Sequence, residues 1–326
     1  MKTSLSLLLC LGLACLFAGN AVAEPLRIGL IGLDSSHAVA FTKKINADDA
    51  PADFAGAKVV AAFPGGSPDL PSSADRIEGF TKQISDMGIE IVPSIDALLK
   101  KVDAVIMNSV DGRVHLAQAK PVLEAGLPLF VDKPVTASMA EAKELFALSK
   151  KTGTPCFSCS TLRYCDQVVE LQKANAAGEI VGCVAYSPCK LDPTHPDFFW
   201  YGIHGVETLF TVMGPGCVSV QRTQVDGVEL ATGVWKDGRV GTFRGIRDGK
   251  AGYGVVVFGK KKTELVPIRA SYDTLVGEIV KFFHTKKPPV SPEETLEIVA
   301  FMTAADISRD AGGKSVTLKS VLQGDQ

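Results

Sequence analysis

The chain has 326 residues, 46% of them hydrophobic and 21% charged, with 34 basic and 36 acidic side chains. That composition excludes a disordered or fibrous protein and is enough for two domains with their own cores. The near balance of charge gives no general attraction to nucleic acid and predicts a neutral or small polar ligand.

The chain opens with MKTSLSLLLCLGLACLFAGNAVAEP, in which a single basic residue, Lys2, precedes an apolar run and the small-residue ending Ala21-Val22-Ala23. This reads as a secretory leader, residues 1–23, cleaved before Glu24. It predicts a periplasmic or secreted mature chain, not held in a membrane. The run is short for an anchor, and no second span of about 18 apolar residues follows. Without Lys2 the balance is 33 basic against 36 acidic residues. Cys10 and Cys15 leave with the leader, and the remaining six cysteines lie between Cys156 and Cys217. An export compartment permits disulfides among them. Cys156 and Cys159 have metal or redox spacing without a second such pair, so buried thiols or one or two disulfides are preferred to a zinc site.

From Leu26 to about Ser158, short apolar runs alternate with helical patterns. LRIGLIGL leads into a helix through Ile45, and KVVAAF (58–63) is followed by a Gly/Pro/Ser loop and a helix over 74–87. IEIV (89–92), a short helix, DAVIM (103–107), a helix over 114–125, LPLFV (127–131), a helix over 137–151 and PCFSC complete the half. Buried strands separated by amphipathic helices predict a doubly wound parallel sheet in an α/β domain covering 24–158. The rest, 159–326, predicts an α+β domain. It has a helix over 162–176, a strand at EIVGCVAYSP and a helix around 198–213. Five strand-like runs joined by glycine-rich turns follow, then helices over 272–284 and 292–309. Its mainly antiparallel sheet predicts a surface on which a second copy docks to form a homo-oligomer.

The first candidate site is the strand-to-helix loop after Ile31. Gly32 can open a G-x-G-x-x-G pattern, but Asp34 stands at the second glycine position and His37 at the third. A helix beginning at Ser35 and Ser36 presents unpaired N–H groups and a positive dipole end, which suits a phosphate or carboxylate. Ser35 also reads as a plain helix cap. Asp34 is expected to narrow the space a pyrophosphate needs and to repel it. No carboxylate ends the second strand to hold a ribose, where Pro64, Gly65, Gly66 and Ser67 stand; the segment reads either as a plain surface loop or, through Ser67 with Arg76, as a place for a ribose phosphate.

The second is NSVDGRVHLAQAKPVLEAGLPLFVDKPV, 108–135. Lys133 follows a buried strand at the carboxyl edge of the sheet, where open α/β sheets bind ligands, and Pro134 keeps it out of helical geometry. A lysine there can relay the proton of a substrate hydroxyl while hydride leaves the same carbon. In order and spacing, the stretch from Leu26 to Tyr164 resembles the Gfo/Idh/MocA family of sugar and inositol oxidoreductases. His115 takes the family's histidine position, Glu124-Ala125-Gly126 its helix end, and Asp132-Lys133-Pro134 its tripeptide with aspartate for glutamate. The resemblance implies a Rossmann-type first domain and bound NAD or NADP. It implies cofactor contacts at Gly32, Leu33, Asp34, Ser35, Ser36, His37, Asn108, Ser109, His115, Asp132 and Lys133.

The third is DPTHPDFFWYGIHGVETLF, 192–210, where the family carries Asp-x-Gly-x-His. Gly202 and His204 match, and Trp200 replaces the aspartate. On a helix Glu207 shares a face with His204 and is expected to orient the imidazole. Asp197 lies two turns back, too far to replace the missing carboxylate. Trp200 and Tyr201 read either as core or as a platform for a sugar face. Arg163, beside Tyr164 at the domain junction, reads as a clamp for a polar ligand or a helix-start salt bridge.

These residues predict an exported NAD(P)-dependent oxidoreductase-like enzyme acting on a sugar, cyclitol or glycoside. Lys133 and His204 handle protons, with Arg163 and Glu207 beside them. A leader threaded unfolded through a membrane cannot carry a nicotinamide cofactor with it, so two alternatives stay open. One is a metal-assisted carbohydrate hydrolase or lyase whose divalent ion is held by His37, His195, His204 and Glu207. The other is a carbohydrate-binding protein without catalysis.

Overall fold

The computed structural model describes residues 24–54 and 56–324; the expected leader, with Cys10 and Cys15, lies outside them. The first sheet takes β1 (Leu26–Ile31), β2 (Ala57–Phe63), β3 (Glu90–Ile91), β4 (Ala104–Met107), β5 (Leu129–Asp132) and β6 (Cys156–Cys159). Between them run α1 (Ser36–Ile45), α2 (Pro71–Asp86), α3 (Ile95–Leu99), α4 (His115–Glu124) and α5 (Met139–Thr152). All strand pairs are parallel, in the order β3-β2-β1-β4-β5-β6. β4, β5 and β6 are buried at every position, as continuous apolar runs covered on both faces must be. The sequence order reverses between β1 and β4, so their carboxyl ends open the crevice in which this topology binds ligands.

Local chemistry sets the helix ends. Ser35 caps α1 by accepting the His37 N–H at 3.2 Å. Ser138 starts α5 with a reciprocal pair, accepting the Glu141 N–H at 3.2 Å and reaching the Glu141 carboxylate at 3.1 Å, and Gly153 stops the helix at φ +70°.

The second half has α6 (Asp166–Ala174), β7 (Ile180–Pro188), a π-helical turn over Phe198–Gly202 and α7 (Ile203–Met213). Next come β8 (Cys217–Val225), β9 (Val228–Trp235), β10 (Val240–Ile246), β11 (Tyr253–Gly259) and β12 (Thr263–Ile268). The chain closes with α8 (Asp273–Thr285), α9 (Pro292–Asp310), β13 (Val316–Thr317) and α10 (Leu318–Gln323). The helix expected over 162–176 is broken at Cys165, whose extended backbone separates a 3-10 turn over Thr161–Tyr164 from α6. The second sheet runs β12-β11-β7-β10-β9-β8-β13 and is antiparallel except for β7 with β10. α7 is buried at every position, which explains its unbroken apolar sequence. All six cysteines of the described residues are buried free thiols.

The two halves are not cut cleanly at residue 158. One face of the first sheet is covered by α1 together with α8, whose Leu275, Val276, Ile279, Val280, Phe282 and Phe283 share a core with Ile28, Leu30, Ile106, Phe130 and Phe157. The rings of Phe157 and Phe282 meet edge to face at 4.9 Å.

Candidate active site

The loop after β1 is built on close backbone approach. Gly32 has φ +87°, and a Cβ there would lie 2.3 Å from the Ser109 amide nitrogen, so the ends of β1 and β4 meet only because this residue is glycine. Leu33 is buried in the core on the α1 face and offers no side chain to a ligand. Asp34 departs from the expectation that it obstructs the loop. It is wholly buried and turned into the protein, accepting hydrogen bonds from Ser73 Oγ at 2.6 Å and the Val110 N–H at 3.1 Å. Its charge is met by protein donors, and Ser35, Ser36 and His37 are left to line the opening.

At the end of β5, Asp132 joins His37 Nδ1 at 2.5 Å and accepts the Lys133 N–H at 2.9 Å. Burial raises the Asp132 carboxyl; the charges of His37 and Lys133 and these hydrogen bonds outweigh it and hold the group at about 2. Lys133 forms no ion pair among the described residues and reaches the cleft. The register Met107↔Val131 sets Asn108 beside Asp132, and both polar atoms of the Asn108 carboxamide are buried without a partner. Ser109 is spent on structure, its backbone packing on Gly32 and its hydroxyl bonding Gln118 at 2.7 Å. His115 does not face the cleft either. Its ring ties Ser109 O at 2.8 Å to Pro134 O at 2.9 Å, stapling the loop after β4 to the turn that carries Lys133.

From the second half, α7 brings His204, whose Nδ1 lies 2.7 Å from Ser160 Oγ. Glu207 does not orient it: the Glu207 carboxylate meets Arg163 Nε at 2.5 Å, and Arg163 also holds Glu294 at 2.6 Å. That buried triad corrects the reading of Arg163 as a ligand clamp, since the guanidinium is spent on two carboxylates and does not line the cleft. Burial raises the Glu207 carboxyl against the pull of Arg163. Burial drives the His204 ring well below its ordinary value, helped by Lys133 and His37 and opposed only by Asp132. Asp197, as expected, does not serve His204; it binds Arg222 at 2.7 Å and also Arg309.

These elements enclose a cleft of about 420 Å³ at the carboxyl edge of the first sheet. Lys133, His37 and the α1 start form one side; Trp200, Tyr201, His204 and Lys190 form the other. Its size is that of a small-molecule site. A larger hollow of about 610 Å³, between residues 51–54 and α8, has none of these groups.

The alternative metal set is not assembled. His195 lies with its Nε2 3.1 Å from Asp111 and its ring 4.9 Å from that of Trp200, while Glu207 is committed to Arg163. Among the described residues no three His, Cys, Asp or Glu side chains are grouped to hold an ion. Sequence reasoning missed Lys190 and Tyr272, which line the cleft, and Ser160, which holds His204 from behind. The available signal for Ser160 was positional: it follows β6 at the ligand-binding edge of the sheet.

Fold and site define a two-sheet protein with a dinucleotide-type Rossmann half. Residues 26–159 match the Gfo/Idh/MocA family model, described as "Oxidoreductase family, NAD-binding Rossmann fold". Among curated proteins, the chain is 29% identical over 140 residues to the uncharacterized oxidoreductase YhhX of Escherichia coli K12, covering 39% of this chain and 40% of that protein. It is 30% identical over 178 residues to YdgJ of the same organism, covering 54% and 45%. The matches thus span less than half of either relative. Among solved structures, it resembles scyllo-inositol dehydrogenase of Lactobacillus casei with bound NAD(H) and scyllo-inositol (TM-score 0.72, 15% identity, 91% of this chain and 100% of that one). It also resembles myo-inositol 2-dehydrogenase of Lactobacillus plantarum (TM-score 0.73, 17% identity, 90% and 99%). At that identity the resemblance is one of fold, and it extends through the second half.

Proposed function

We propose that the chain is an NAD(P)-dependent oxidoreductase that exchanges hydride with a carbinol or keto carbon of a sugar, cyclitol or glycoside. The observation that carries this reading is the convergence of Lys133 and His204, from opposite halves, on one cleft at the point where the strand order reverses. The family match and the cyclitol dehydrogenases of the same fold support it.

The residues present fit a dinucleotide. Gly32 has no room for a side chain, Asp34 is turned away with its charge satisfied, and the α1 N-terminus opens onto the cleft. The orphaned Asn108 carboxamide, a buried donor and acceptor, is the kind of group a ligand amide satisfies. The α1 start would hold phosphate oxygens through Ser35 and Ser36, with Arg76 nearby. When bound, the nicotinamide supplies or accepts the hydride. Lys133 takes the hydroxyl proton as the carbon is oxidised and returns it on reduction. Trp200 and Tyr201 offer the aromatic wall on which a sugar face packs. His37 holds Asp132, and Asp132 fixes the backbone of Lys133.

Two further parts of the proposal are export, carried by the leader pattern of residues 1–23, and self-association through the second sheet. The outer face of that sheet exposes Val234, Val240, Phe258 and Leu265, aligned by the strand register.

The test has two arms. Protein purified from its native compartment and denatured is expected to release nicotinamide absorbance. Lys133→Met is expected to lower kcat by about 10²–10⁴-fold on a polyol panel. A chain that binds neither NAD nor NADP by calorimetry overturns the reading.

A further inference from the structure

We propose that Ser160 is a positioning residue whose hydroxyl fixes His204 as the tautomer with a bare Nδ1 and the proton on Nε2. The ring then offers the cleft an N–H donor and not a base. The inference rests on the oxidoreductase reading for its catalytic meaning, but not for its geometry.

The argument is an accounting of protons. A serine hydroxyl has one proton and two lone pairs. Ser160 is fully buried, and its oxygen accepts the Leu162 N–H at 3.2 Å. The same oxygen lies 2.7 Å from His204 Nδ1, and among the described residues no other acceptor is in reach of the serine proton. Were Nδ1 protonated, the serine would accept twice and its own O–H would be buried without a partner, which is the costly outcome. The arrangement that satisfies every group has Ser160 donating to a bare Nδ1. A neutral ring then carries its proton on Nε2, the nitrogen left for the cleft that His204 lines.

The surroundings favour the neutral ring. The charged groups facing it are Lys133 after β5 and His37 on α1, both of which disfavour an imidazolium, and Asp132, which favours one but is engaged by His37. From the π-helical turn and β11 the neighbours are Tyr201 and Tyr253, whose rings meet that of His204 at 5.1 and 6.1 Å. Glu207, one turn along α7, is neutralised by Arg163.

The consequence is a division of labour. Lys133 moves the proton of the substrate hydroxyl, while His204 keeps its own and donates a hydrogen bond to the same substrate oxygen, stabilising the charge that develops there as hydride is exchanged.

The full-length protein labelled with ¹⁵N-histidine tests this by long-range ring correlations, with His204→Gln to assign the signal. The expected spectrum at pH 7 shows an unprotonated Nδ1 and a protonated Nε2, with no titration near the ordinary histidine value of about 6.5. A proton on Nδ1, or titration near that value, overturns the proposal on the wild-type protein alone. Ser160→Ala is expected to give mixed tautomers and a kcat about 10–100-fold lower at little-changed KM, and Ser160→Thr to restore both. A pure Nε2–H tautomer and unchanged kcat in Ser160→Ala also overturn it. The spectrum needs neither cofactor nor substrate, so its failure leaves the oxidoreductase reading standing. The expected tautomer without nicotinamide binding would instead remove that reading.

Discussion

The His37 ring meets the Asp132 carboxylate at 2.5 Å, tying the first turn of α1 to the residue before Lys133. The two ends of the cleft's first-domain wall are thereby one mechanical unit. Movement of α1, where an anion would dock, is transmitted to the backbone of the proposed proton carrier.

That pair makes stability depend on acid pH. Asp132 is at about 2 in the folded chain against an ordinary 3.8. A carboxyl depressed by folding stabilises above its unfolded value and loses that contribution as pH falls toward its folded one. Asp132→Asn is therefore expected to cost about 2 kcal/mol above pH 5, with the gap to wild type closing between pH 4 and 2. Urea unfolding at pH 7, 4 and 3 measures it; a gap constant across that range contradicts the pairing.

Arg163 and Glu207, with side chains 12% and 3% exposed, form a second buried pair. Glu207→Gln keeps the shape and removes the charge, leaving Arg163 with Glu294 alone. The expected loss is about 3 kcal/mol, because an under-compensated buried guanidinium is costly. Glu207 does not touch the His204 ring but its carboxylate is hydrogen-bonded by the Ser160 backbone; the Gln amide oxygen can still accept that bond, so the His204 tautomer should persist. Urea midpoints and the histidine spectrum of the same variant check both halves.

Gly32→Ala should fail by sterics before any question of ligand arises. The new Cβ would meet the Ser109 backbone at 2.3 Å, with φ at +87°. Strain from the backbone angle alone is about 1–3 kcal/mol, and separating β1 from β4 adds to it. Soluble yield and thermal melting should show this. Gly88→Ala, at φ +79° but with open space around it, should be clearly milder.

Val240 and Leu265, 47% and 61% exposed on the outer face of the second sheet, should govern self-association. Val240→Lys with Leu265→Lys is expected to lower the mass found by sedimentation toward that of one subunit while leaving the melting profile of the subunit intact. An unchanged mass removes the sheet face as the contact.

Much of this architecture was legible in the sequence, for reasons that can be traced. The first sheet announces itself because parallel strands buried on both faces must be continuous apolar runs, as at β4 and β5. Lys133 was legible because strand ends on one edge of such a sheet gather ligands. Its meeting with His204 followed from motif order. The partners of His204 and Arg163 were not legible. Ser160 lies 44 residues before His204 and reaches it only through the packing of α7 beneath the strand ends. Helical spacing instead pointed to Glu207, which faces the right way but is claimed by a cation from another element. Asp34 misled for a related reason: its orientation is decided by Ser73, on a helix a whole strand away. Spacing within one element shows what can be adjacent, and competition among elements decides what is.

The placement of α8 dictates when the molecule can become whole. One side of the earliest sheet is sealed by Leu275 through Phe283, near the far end of the polypeptide. During synthesis that side has only α1 over it until roughly nine-tenths of the chain has emerged, so the first half reaches its final packing late.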